Sequence, residues 1–90
     1  MSLEETKQRL QEEGYGPIEI FDAEPHEEDS DHSHDFDTYI LMLAGEMFVR
    51  LDGKEKTLQE GDSIFIPKGA IHYSKVGSEG CKMLHAERHL

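Results

Sequence analysis

Cysteine is almost missing from this chain. Cys81 stands alone among 90 residues, so no intrachain disulfide can form, which fits a reducing compartment. Positive charge is scarce too. Nine Lys and Arg against 20 Asp and Glu leave a net charge of −11. Phosphate is repelled by such a surface, and the few cations are scattered, so nucleic acid and anionic membranes are excluded as partners. No apolar run approaches the ~18 residues of a membrane span. Met1 to Glu5 lacks the charged-then-apolar pattern of a secretory signal. A soluble, cytoplasmic protein is expected. There is no internal repeat and no room for a second domain. A domain this short buries only about 60–65% of the surface its unfolded chain exposes, so pairing into a homodimer is expected to extend the core.

What the chain does have is histidine, six in all, and closely spaced turn signals. Ser2 to Glu13 reads as a helix, with Ser2 as cap and Glu5 completing a capping box before Gly14 and Gly16 stop it. Its only aliphatics are Leu3 and Leu10, which suits an appendage packed on the main fold. Residues 1–16 are therefore helix and linker, and 17–90 one domain. Pro17 to Asp22 alternates as a first strand, and Glu24 to Asp31 reads as an acidic loop. Phe36 to Ala44 is apolar on both faces from Tyr39 onward, implying cover by the interior and by another sheet or subunit. Gly45 is expected to break that strand. Met47, Val49 and Leu51 then alternate up to Asp52-Gly53, a type I′ hairpin signal. Lys54 to Glu60 returns, Ser63 to Ile66 follows, and Ile66-Pro67-Lys68-Gly69 suits a type I turn. Ile71 to Val76, a loop at Gly77 to Gly80, and Cys81 to Glu87 complete the chain. Seven or eight short strands in succession predict an all-β antiparallel barrel or sandwich.

Successive strand residues face opposite ways, so His32 and His34 share a face. His72 follows a unit punctuated by Gly61, Pro67 and Gly69. Two imidazoles from one strand and one from another can half-enclose a metal ion.

At these residues the sequence resembles the cupin superfamily of small jelly-roll β-barrels, over about residues 18 to 88. Gly61, Pro67, Gly69 and His72 meet the second family motif in full, a Gly, five residues, Pro-x-Gly, two residues and His. His32-x-His34 and Gly45 meet the first in part, and Glu46 to Glu60 separate the two as in the shortest members. Three positions depart. The leading glycine is His26, the usual glutamate ligand is Thr38, and the asparagine after the second motif is Val76. By alternation Thr38 shares the face of His32 and His34, while Asp35 and Asp37 lie opposite and cannot replace the glutamate without a bulge.

The resemblance implies a double-stranded jelly roll holding one divalent metal ion per chain through His32, His34 and His72. Three neutral nitrogens suit zinc, nickel, iron, copper, cobalt or manganese. Three-histidine sites occur among cupins that act as dioxygenases on thiols or diketones, which suggests a metal-dependent oxidoreductase on a small anionic or chelating substrate. The alternative is a non-catalytic module that binds or senses a small ligand, and fold alone does not decide between them. Thr38 is read as filling space, His26, His85 and His89 as satisfied polar residues, and the Cys81, Met83, His85 face as packing.

Overall fold

Ser2 caps the first element as its sequence demands. In the computed structural model, which describes residues 2–89, the Ser2 hydroxyl accepts the Glu5 backbone N–H at 3.1 Å, and the Glu5 carboxylate accepts the Ser2 N–H at 3.2 Å. Helix α1 (Leu3–Glu12) follows. Six strands succeed it: β1 (Ile18–Ala23), β2 (Glu28–His32), β3 (Asp37–Leu51), β4 (Lys54–Leu58), β5 (Ser63–Ile66) and β6 (His72–Arg88).

Every pairing is antiparallel. β3 and β6 form a spine, paired from Asp37 opposite Arg88 to Leu51 opposite His72. At one end β4 flanks β3 and β2 flanks β6; at the other, β5 flanks β3 and β1 flanks β6. The spine thus carries two sheets, each four strands wide. Ile40, Met42, Met47, Val49, Leu58, Ile66, Val76, Cys81 and Met83 form one buried cluster.

The bend between the sheets explains why fewer strands are seen than the turn signals predict. Gly45 does not break β3. The ladder shifts register on both sides of it, between Met42 and Ala44 and between Gly45 and Met47, and pairing with β6 then resumes. The bulges bend the strand without ending it. Gly77 to Gly80, expected as a loop, is likewise carried within β6. The acidic stretch also differs from expectation, because Glu28 to His32 pairs with β6 as β2. Edge pairing satisfies its backbone although it has no apolar alternation to announce a strand.

Within this chain the outer face of β3 is covered by the helix and not by a second sheet. Leu10 of α1 and Tyr15 are buried against Leu84 and Ala86, and Tyr39, Leu41 and Leu43 pack on that cluster. The helix is the cover for the two-sided apolar run. Asp52 and Gly53 both take positive φ, at 50° and 78°, as a type I′ hairpin requires. The turn before β6 starts one residue later than expected. Ala70 N–H donates to Pro67 O at 3.1 Å, and Gly69, third in the turn, has φ of 83°, which suits type II and only glycine readily.

Candidate metal centre

His32 and His72 meet because their strands pair: they are direct partners across β2 and β6, with ring centroids 4.2 Å apart. The ladder also carries a bulge between Asp29 and His32, so Asp29 and His32 both turn to the same side as Ser74 and His72. His34 comes from a different place than expected. β2 ends at His32, and His34 lies in the connection to β3. Its position is held by its carbonyl, which accepts the Gly69 N–H at 2.9 Å, tying the first histidine pair to the turn that leads to His72. The His34 ring lies 4.7 Å from that of His32 and 5.0 Å from that of His72. One ligating atom from each of the three falls within 4.8 Å of the others.

Two of the rings are oriented from behind. His32 Nδ1 lies 2.6 Å from Ser30 O, and His72 Nδ1 lies 3.0 Å from Ala70 O. A carbonyl only accepts, so Nδ1 carries the proton and Nε2 keeps its lone pair, the tautomer a metal ligand needs. His34 instead stacks on Phe36 at 4.8 Å with the rings 14° apart. Burial first, then the His72 and His32 imidazoles, push the His34 pKa below its ordinary value, which keeps it neutral and able to ligate. Around one ion at ~2.1 Å, nitrogens sit about 3.3 Å apart, so binding draws these rings modestly inward. The donor set therefore fits a borderline divalent metal.

The histidines open onto a cavity of about 100 Å³ that is also lined by Asp29, Thr38, Ile40, Met47, Val49, Ile66, Ser74, Met83 and His85. His32 and His34 are half-buried, and His72 is 5% exposed. Three expectations need correction here. His32, His34 and Thr38 do face one cavity, but not along one strand: they come from β2, the connection and β3. Thr38, expected to fill space, is buried at the cavity wall, and its hydroxyl has no hydrogen-bond partner among the described residues. Met83 and His85 line the cavity, so His85 is more than an ordinary strand histidine; burial lowers its pKa. Asp35 is exposed and Asp37 binds Arg88 at 2.8 Å, so neither stands in for the missing glutamate. Asp29, overlooked within the acidic stretch, is the carboxylate that reaches the cavity wall. It stays exposed at the cavity's rim, and the bulge that brings it to that side left no mark in the sequence.

An antiparallel jelly roll with clustered imidazoles beside an inner cavity defines the class. Residues 19–87 match the cupin domain family, and the chain belongs to it. An uncharacterized protein of Aquifex aeolicus is 46% identical over 46 residues, covering 51% of this chain and 36% of that protein. A cupin superfamily protein from Desulfitobacterium hafniense superposes with a TM-score of 0.73 at 27% identity, over 81% of this chain and 66% of its own. A cupin-2 domain containing protein from Shewanella frigidimarina gives 0.69 at 28% identity, over 83% and 71%. The chain thus spans about a third of its curated relative.

Proposed function

We propose that His32, His34 and His72 hold one divalent metal ion, and that this cupin is a metal-dependent oxidoreductase, dioxygenase-like, acting on a small anionic or chelating substrate. One observation carries the metal reading: three imidazoles from β2, β6 and the connection converge, two of them with Nδ1 anchored to backbone carbonyls. With three neutral ligands the ion would keep its full positive charge, supplying Lewis acidity and, for a redox-active metal, an electron path. The protein's own part is to orient and to dry. Ile40, Met47, Val49, Ile66 and Met83 give the cavity an apolar wall, and water excluded there strengthens every charge interaction.

Elemental analysis of untagged protein tests the first half. The wild type should carry one metal per chain, and a variant with His32, His34 and His72 all changed to alanine should carry none. Equal content in the two sinks the reading. Oxygen uptake by the iron-loaded protein over thiols, diketones and hydroxy acids tests the second half.

A second reading, a non-catalytic module that binds a small ligand, is favoured by what the tyrosines do. Tyr73 hydrogen-bonds Glu28 and sits under Arg50, away from the cavity, and Tyr39 packs edge-on against Tyr15. Neither is placed as a proton donor at the site. Absence of turnover with every metal and every panel member selects this reading. Assembly as a homodimer is supported by exposed Ile20 and Phe21 on the edge strand β1; light scattering at micromolar concentration should return twice the chain mass, and a monomer mass overturns it.

A further inference from the structure

Thr38 is the buried polar group that the fold leaves unanswered. Its side chain is 1% exposed, and Oγ1 has no hydrogen-bond partner among the described residues. A desolvated hydroxyl without a partner costs stability, and an apolar group of the same shape there would cost none. Thr38 lies on β3 with Ile66 and Glu87 as its ladder neighbours, and the residue lines the same cavity as the three histidines, its Oγ1 buried beneath the wall. His85 lines that cavity from β6, directly opposite Ile40.

Size and charge narrow the ligand. The cavity, about 100 Å³ and open toward solvent beside the half-exposed His32 and His34, admits a small group next to the metal. Three neutral imidazoles would leave an ion's two positive charges unmatched by its own ligands, with the exposed Asp29 carboxylate at the cavity wall as their partial offset, so an anion is a favoured counter-ligand. Without a metal the balance reverses, because Asp29 lines the cavity and the chain carries a net charge of −11.

We propose that Thr38 Oγ1 is a specificity-determining donor, which hydrogen-bonds an anionic group the size of a carboxylate or azide held at the metal's open position. This rests on the metal reading above. The hydroxyl replaces a carboxylate ligand with a group that receives an anion instead of supplying one.

The test is an azide titration of the cobalt(II)-loaded protein, read by visible absorption, with cobalt uptake measured before azide is added. Thr38→Val should bind cobalt as the wild type does and azide about tenfold more weakly, the loss of one hydrogen bond to a charged group. Thr38→Ser should stay near the wild type. Metal-free Thr38→Val should melt at or above the wild-type temperature, since it removes an unsatisfied group. Equal azide affinity in the wild type and Thr38→Val at equal cobalt content overturns the proposal and leaves the metal site standing. So does a metal-free Thr38→Val that melts several degrees lower, which would make the hydroxyl structural. Absence of cobalt uptake by the wild type overturns the metal reading and this proposal together.

Discussion

At Asp37 a single carboxylate ties three parts of the chain. It accepts Nε and Nη2 of Arg88 at 3.2 and 2.8 Å, and the backbone N–H of Lys68 at 2.9 Å. Arg88 in turn lies over the ring of Tyr15, 4.8 Å from its centroid, beneath the helix. The Arg88 hydrogen bonds first, and then the Lys68 N–H, hold the Asp37 carboxyl below its ordinary pKa of 3.8. The sign follows. A carboxylate with a lower pKa in the folded state contributes stability that is present above the ordinary value and lost as pH falls toward the folded one. Asp37→Asn should therefore lower the melting temperature at pH 7 and flatten its fall as pH drops below the ordinary carboxylate value. Identical acid slopes in the two proteins would remove Asp37 from the account. Lys68 belongs to the turn before His72, so the same variant should also weaken metal uptake, measured by competition with a chelator.

Among the elements, the bend in the spine decides most. A Cβ on Gly45 would stand 2.2 Å from Gly80 O and 2.9 Å from Cys81 Cα, both backbone, at a φ of 75°. The Gly53 turn has a similar φ of 78° but open space around it. Gly53→Ala should thus cost only the left-handed strain of about 1–2 kcal/mol, whereas Gly45→Ala should cost several times that and impair folding. Urea denaturation of both variants ranks them, and a reversed order contradicts the bend as described. These elements also show what could be read beforehand. The Ser2 cap, the Asp52-Gly53 hairpin and the clustering of His32, His34 and His72 depend on local chemistry and spacing, so they were legible. The continuity of β3 through Gly45 was not, because only the partner strand shows that pairing resumes beyond a bulge. The strand within Glu24 to Asp31 was hidden for a similar reason: its backbone is satisfied by β6 while its side chains stay in water. Alternation placed Thr38 on the right face, yet it cannot show whether a hydroxyl finds a partner. That is a property of the neighbours.

Over the whole molecule, the three histidines sit where the chain crosses between the two sheets. His32 and His72 belong to the sheet of β2 and β4, while β3 begins at Asp37 in the other sheet. The chain crosses between them through residues 33–36, and His34 rides on that crossing. One ion held by all three histidines would therefore staple the crossing to both strands, and its binding energy would become folding energy, because the unfolded chain has no such site. Zinc at a hundredfold excess over its dissociation constant should add about 2.7 kcal/mol of stability, seen as a rise in melting temperature that a chelator reverses. Protons compete for the same nitrogens, so the gain should shrink as pH falls. His34→Ala should keep the apo fold, since that ring makes stacking contacts with Phe36 rather than anchoring a strand, and should lose most of the zinc-dependent rise. A zinc response of full size in His34→Ala would show that the ion binds elsewhere, with the acidic surface the first place to look.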